Sequence, residues 1–343
     1  MPVKIKDVAD AAQVSIATVS YVLNNSAPVS EATRRRVLEA VNRLGYRPNI
    51  TARNLKASEA RIIGYAWHDI PDGAINPVLD RFIYQMALAA EARGYHVLTF
   101  TQQPEKPVRA YQELIRTSRV DGFILSGTVQ DDDRIRMLMD HSFPFAAFGR
   151  GNPEWAFPYV DVDSAAGVRA AVEHLIANGH HKIAILAWPE GSINGGHRLA
   201  GYFEAMHAAG LPIAPSWIRR VINRLDESQC AAAGLLALPE DERPSAIVGL
   251  TDTLAIGAMR AVEAAGLRPG VDIAVTGFDD DPVAAFLRPA LTSVRQPLEA
   301  IGPGVVDLLV AILSGEDCVQ QQLIAPRLII RDSSHFIQKG SRE

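Results

Sequence analysis

From Arg61 onward, short apolar runs alternate with amphipathic helical stretches, and this alternation constrains the fold more than any other feature of the chain. The runs IIGYAW, HVLTF, GFIL and FAAF are separated by helical patterns over 77–93, 108–118 and 131–141. A second series, VDV, KIAIL, IRRVI, AIVGL and IAVTGF, is interleaved with helical patterns over 164–178, 197–209, 227–237 and 252–265. Strands that alternate with helices build parallel sheets covered on both faces. Gly94, Gly179, Gly210 and Gly266 sit where helices must stop before the next strand. Two doubly wound lobes are expected, with a boundary near residue 160. The tail, TSVRQPLEAIGPGVVDLLVAILSG then LIAPRLIIRDSS, offers a strand, a long helix and one more strand.

The first sixty residues follow a different rule. In IKDVADAAQVSIATVSYVLN, apolar residues recur at Ile5, Val8, Ala9 and Ala12, then at Val19, Val22 and Leu23, giving two short helices split at Gln13 and Val14. Ser15 opens the second, where its hydroxyl accepts from the amide of residue 17 or 18. With Val19, Val22 and Leu23 inward, Ile16, Ala17, Ser20, Tyr21 and Asn24 share the outer face, the position of a recognition helix in a major groove. A small three-helix bundle without a DNA role fits the same periodicity. Pro28 and Ser30 precede a third helix with the apolar stripe Val37, Leu38, Val41 and Leu44, stopped by Gly45.

Charge separates the two readings. Residues 1–60 carry nine Lys/Arg against five Asp/Glu, a net of +4 in a chain whose total is −5, so the remainder carries −9. A basic end on an acidic body fits a polyanionic partner. Arg34, Arg35 and Arg36 lie near the start of the third helix, where they meet phosphates or solvent. Residues 47–60 are polar and read as a linker.

IKDVADAAQVSIATVSYVLN, followed by VSEATRRRVLEAVNRLGYRPN and ARNLK, resembles the headpiece and hinge of the lactose repressor (LacI/GalR) family of bacterial transcription regulators. The resemblance implies an α/β chain with an all-α helix-turn-helix headpiece (1–47), a hinge (48–60) and a periplasmic-binding-protein-like bilobed body (61–343). Lobe 1 would span about 61–160 and 291–320, lobe 2 about 161–290 and 323–333. It also implies that Ala52, Leu55 and Lys56 fold on DNA, Leu55 wedging into the minor groove; Leu55 packed on the headpiece is the alternative. Asn54 departs from the serine more common there. Tyr21 replaces the Arg or His of many relatives, so their half-site cannot be copied.

The same resemblance supplies effector candidates in the cleft. INGGHRLAGYFEAM gives Arg198, VTGFDD gives Asp279, and GLTDTLAIGAMRAV gives Thr251 with Asp252 as the helix N-cap. VDVDSAAG gives Asp163, which serves equally as a helix cap, as does Ser164. Arg150 in AFGR stands where relatives often carry an acid and points to an effector with negative charge or many acceptors. Trp188 in AILAWPEG stacks on a sugar face or packs at the rim.

These residues predict a ligand-responsive, site-specific repressor released from a palindromic operator on double-stranded DNA by a sugar or related metabolite. A corepressor-dependent repressor or an activator of the same family is the alternative; a sugar-binding transport protein or a metabolic enzyme is remote. No G-x-G-x-x-G, Walker loop or G-x-S-x-G elbow is present, and neither enzyme chemistry nor a cofactor is expected. His174, His180, His181 and His197 read as solvated or capping groups, with no metal expected. No apolar run is long enough for a bilayer and MPVKIKDVAD has no export signal, so a cytoplasmic protein without membrane contact is expected. Cys230 and Cys318 read as reduced core thiols. Without an apolar heptad series after the last strand, a homodimer is expected.

Overall fold

A computed structural model describes residues 3–24, 27–46, 59–67, 76–103, 105–316 and 320–335. It divides into two compact units, residues 1–60 and 61–343. In the first, α1 (Ile5–Ala12) buries Val8, Ala9 and Ala12 and ends where Gln13 turns left-handed at φ 53°. Ser15 Oγ accepts from the Thr18 amide at 3.1 Å and starts α2 (Ile16–Asn24). Ser30 Oγ caps α3 (Glu31–Leu44) through the Thr33 amide, and Gly45 closes it at φ +61°. Val8, Ala9, Ala12, Val19, Val22, Val37 and Ala40 form the core of this unit. The expected stripe on α3 needs one correction. Leu38 is 43% exposed, and Ala40, three residues after Val37, takes its place inside. A small side chain there suits the close approach of three short helices.

The second unit contains two six-stranded sheets among the described residues. Sheet one has the order β11-β5-β4-β3-β1-β2, built from β1 (Ile62–Trp67), β2 (His96–Thr101), β3 (Gly122–Leu125), β4 (Phe145–Phe148), β5 (Tyr159–Val162) and β11 (Gln321–Ile324). Its helices are α4 (Pro77–Ala92), α5 (Arg109–Arg116), α6 (Asp133–Asp140) and α11 (Leu298–Leu313). Sheet two has the order β12-β10-β9-β8-β6-β7, from β6 (Ile183–Ala187), β7 (Ile218–Arg220), β8 (Ala246–Gly249), β9 (Ala274–Asp279), β10 (Thr292–Arg295) and β12 (Arg327–Ile329). Its helices are α7 (Ser164–Ala177), α8 (Ile193–Ala208), α9 (Leu225–Leu236) and α10 (Asp252–Ala264). All pairings are parallel except β10 with β12. Gly94, Gly179, Gly210 and Gly266 all take positive φ after the helices they end.

Three strand placements correct the expected lobe limits. VDV does not open the second lobe: Val160 pairs with Phe148, so β5 completes the first sheet. TSVR pairs with β9 in the second sheet, and the return to the first begins only at Pro297, the cap of α11. The last segment makes two strands, not one, because Pro326 interrupts it; β11 joins β5 and β12 joins β10. The chain therefore crosses between lobes after 162, 295 and 324. Cys230 is exposed, since α9 buries Ser228, Ala232, Leu235 and Leu236 on its other side; Cys318 lies outside the described residues. Among the described residues no helix is long and apolar enough to cross a membrane.

Candidate functional site

Helix α2 turns Val19 and Val22 into the headpiece core, and the rotation of 100° per residue brings Ile16, Ala17 and Tyr21 to the surface. Ile16 is 47% and Tyr21 45% exposed, so both side chains are open to a partner on this face. Ser20 is half-buried beside them, and Asn24 is the last residue of α2. On α3, Arg34 is half-buried, while Arg35 and Arg36 project into solvent. Arg35 reaches Glu39 only at 4.0 Å. Ala52, Leu55, Lys56 and Asn54 lie outside the described residues.

In the body, ligands of open parallel sheets bind beyond the carboxyl ends of the strands, and the candidate side chains gather there. On the second lobe Arg198 of α8 is 5% exposed and donates from Nη1 to the Leu250 carbonyl and from Nη2 to Asp279 Oδ1 at 3.3 Å. Its guanidinium lies 3.7 Å over the Phe278 ring and 5.1 Å from the Trp188 ring. Gln296 Nε2 also donates to Asp279 Oδ1, at 2.7 Å. Burial pushes the Asp279 pKa up although Arg198 and Gln296 pull it down, and burial likewise lowers that of Arg198. Desolvation therefore outweighs pairing at both ends. Asp279 and Asp280 hold φ of 113° and 50°, a backbone non-glycine residues seldom adopt, and the turn aims neighbouring carboxylates in different directions. Asp280 is taken up by Arg295 and Arg331, each at 2.6 Å.

The N-cap expected at Asp252 is Thr251 instead. Thr251 is the N-cap of α10, accepting from the Leu254 amide at 3.3 Å, and its hydroxyl donates to Asn223 Oδ1 at 2.6 Å. Asp252 is the first helical residue and fully buried; it accepts from Ser293 Oγ at 2.5 Å and from the Asp281 amide at 2.7 Å. Gly277 leaves room for it, since a Cβ there would stand 2.2 Å from Asp252 Oδ1. Burial pushes the Asp252 pKa well up, with Asp279 adding to the rise.

On the first lobe Arg150 follows β4. Its Nε donates to Asp161 Oδ2 at 2.8 Å, and the other oxygen of Asp161 accepts the Val162 amide. Arg150 is therefore a paired cation and not a free one, so its charge alone does not point to an effector with negative charge. The counter-ion is a strand neighbour on β5, invisible to local motif reading. Asp163 caps α7 through the Ala166 amide at 3.0 Å and remains half-buried; Ser164 is not the cap. His197 on α8 has its pKa lowered by burial and then by Arg150, with Asp161 and Asp163 opposing, so it sits among the groups of the first lobe and the crossing. Trp188 is half-buried after β6. Trp188 Nε1, Arg198 Nε and His197 Nδ1 are buried without a hydrogen-bond partner among the described residues. Sequence reasoning missed Asn223, Gln296 and Asp161. Gln296 was recoverable, because it directly follows a strand; the other two become neighbours only through sheet pairing and a loop.

The description "Bacterial regulatory proteins, lacI family" matches residues 4–49, and "Periplasmic binding protein-like domain" matches residues 172–334. The chain is 32% identical over 330 residues to the HTH-type transcriptional regulator CelR of Thermobifida fusca, covering 95% of this chain and 96% of that one. A structure of a CelR–cellobiose complex is 30% identical with a TM-score of 0.73, covering 96% of this chain and 99% of its own. The lac repressor dimer bound to operator and the anti-inducer ONPF is 29% identical with a TM-score of 0.84, covering 98% of this chain and all of its own. With a helix-turn-helix headpiece ahead of a two-lobed body, and similarity running through both, the chain belongs to the LacI family of bacterial regulatory proteins and is a DNA-binding transcriptional regulator, not an enzyme.

Proposed function

We propose that two copies of the chain hold a palindromic operator in the cytoplasm and that a neutral sugar entering the body cleft releases it. The observation that carries the ligand class is charge matching. Arg150 is paired with Asp161 and Arg198 with Asp279, so among the described residues both candidate cations of the cleft already have a counter-charge. A polyhydroxyl ligand exchanges bonds with such pairs, whereas a sugar phosphate or sugar acid would add an unmatched anion to a desolvated site. The CelR structure holding cellobiose supports the same class. Arg198, Asp279, Thr251, Asp163, Arg150 and Trp188 are the effector residues of this reading, joined by Asn223 and Gln296.

Residues 1–47 read DNA and 48–60 form the hinge. Ile16 and Ala17 carry no side-chain donors and suit thymine methyl groups, Tyr21 and Ser20 supply polar readout, and Arg34 meets phosphate. Tyr84 at 61%, Leu88 at 46% and Phe286 at 80% exposure give a second copy apolar surface to cover. Sequence selection from random duplexes, followed by titration of the selected complex with glucose, cellobiose, maltose, sucrose and arabinose, tests the proposal. At least one saccharide should weaken DNA binding by roughly 5- to 150-fold. Release by phosphorylated or acidic sugars alone would refute the neutral-ligand assignment.

A further inference from the structure

The two sheets superpose strand for strand in their connectivity. β2-β1-β3-β4-β5 in the first matches β7-β6-β8-β9-β10 in the second, so β1 and β6 are equivalent. The dipeptide Ala-Trp stands at the carboxyl end of both strands. β1 ends Ala66-Trp67, and β6 ends at Ala187 with Trp188 next. The register is offset by one residue: Ile63 and Ile183 each pair with the first residue of the next strand, Gly122 of β3 and Ala246 of β8, so Trp188 stands one position further out than Trp67. In each case the alanine is buried, at 3% and 1%, and the tryptophan is the first side chain to emerge from the carboxyl end of its strand. Trp67 is 37% exposed, a large apolar surface left at the end where ligands bind.

Each indole has a close neighbour that limits its rotation. Tyr65 meets the Trp67 ring edge-on, with centroids 6.5 Å apart and planes at 82°. Tyr65 is itself fixed by a 2.7 Å hydrogen bond between its hydroxyl and Ser126 Oγ just beyond β3. Trp188 has the Arg198 guanidinium 5.1 Å from its ring. A platform that does not turn on its own axis loses little entropy when a ring settles on it.

We propose that Trp67 and Trp188 are paired stacking platforms, one on each lobe, and that the sugar bridges them with apolar C–H faces while its hydroxyls meet the charge pairs. This rests on the neutral-sugar reading and adds Trp67 as a specificity-determining residue. A ligand touching a platform on each lobe binds the closed arrangement better than the open one, which is the differential affinity that any ligand-driven shift requires.

The test takes whichever saccharide of the panel binds the full-length chain and measures its Kd by calorimetry for wild type and for Trp67→Leu, Trp67→Phe, Trp188→Leu and Trp188→Phe. Trp217→Phe, at the amino end of β7 and so at the opposite end of its sheet, is the control. Each leucine variant should weaken binding roughly five- to tenfold, each phenylalanine variant less than about threefold, and the control not at all. A chain retaining only Trp67, with the other tryptophans changed to Phe, covers the case in which Trp67→Leu fails to fold, and saccharide should protect its emission from acrylamide quenching. Saccharide binding to wild type with Trp67→Leu unaffected, or with no protection of Trp67, overturns the paired platforms and leaves the sugar reading standing. If no saccharide binds wild type, both fall.

Discussion

Replacing Arg198 with Met tests whether the charge pairs at the strand ends are built as described. Methionine keeps most of the contact with Phe278 and Trp188 but removes the cation held 3.7 Å above Phe278 and the donors to Leu250 O and Asp279. Asp279 is then left with Gln296 at 2.7 Å. Breaking a buried pair from one side costs about 3–5 kcal/mol, because the remaining charge stays desolvated. Protonation of Asp279 limits that cost, since burial already raises its pKa and the loss of Arg198, its largest opposing influence, raises it further. The sign follows from linkage. A carboxyl whose folded pKa lies above its unfolded value contributes stability at low pH and loses it as pH rises through the window between the two. Urea unfolding of the full-length chain should therefore show Arg198→Met losing more at pH 8 than at pH 5. Adding Asp279→Asn should recover stability, with a coupling energy above about 2 kcal/mol. Equal losses at both pH values, together with additive single effects, would refute the reasoning.

Asp281 offers a second pH test. Burial, and then Asp279, push its pKa up to about 6, so its contribution to stability falls as pH rises from about 4 to 6. Asp281→Asn should be neutral at pH 4 and stabilising by about 1 kcal/mol at pH 7, the figure being discounted for its partial exposure, as read from thermal unfolding. Ser15→Ala removes the cap on Thr18 and should cost the headpiece about 1 kcal/mol, measured by its hydrogen exchange. Gly201→Ala would set a Cβ 2.1 Å from the Ala165 carbonyl oxygen and force α7 from α8, costing about 2–3 kcal/mol in urea. Leu38→Lys should change stability by less than about 0.5 kcal/mol, because the side chain is already in water.

Much of this architecture was legible because periodicity is a local property. The corner at Gln13, the cap at Ser15, the outward face of α2 and the glycine stops all follow from residues within a few positions of one another. Helix α8 begins at Ile193, four residues before the pattern starts, because Ser192 caps it through the Gly195 amide and the glycines there hide the apolar spacing. What escaped the sequence depends on partners distant along the chain. TSVR reads as a strand whichever sheet it joins, and only its pairing with β9 assigns it to the second lobe. Thr251 and Asp252 are both good caps, and the choice falls to Thr251 because Ser293 and the Asp281 amide bind the Asp252 carboxylate inside. Arg150 lost its apparent free charge to Asp161, eleven positions on and one strand across.

The proposed function requires that the exposed face of α2 recognise a particular duplex and that the cleft control how tightly. Both are read together from the affinity of the purified full-length chain for a selected palindrome and for a scrambled duplex at one fixed salt concentration, with and without the bound saccharide. The palindrome should be preferred by about a thousandfold or more, Tyr21→Ala should erode this preference at one or two base positions, and saccharide should weaken binding to the palindrome. Equal, salt-sensitive binding to both duplexes, unmoved by any ligand that binds the body, would contradict the proposed function.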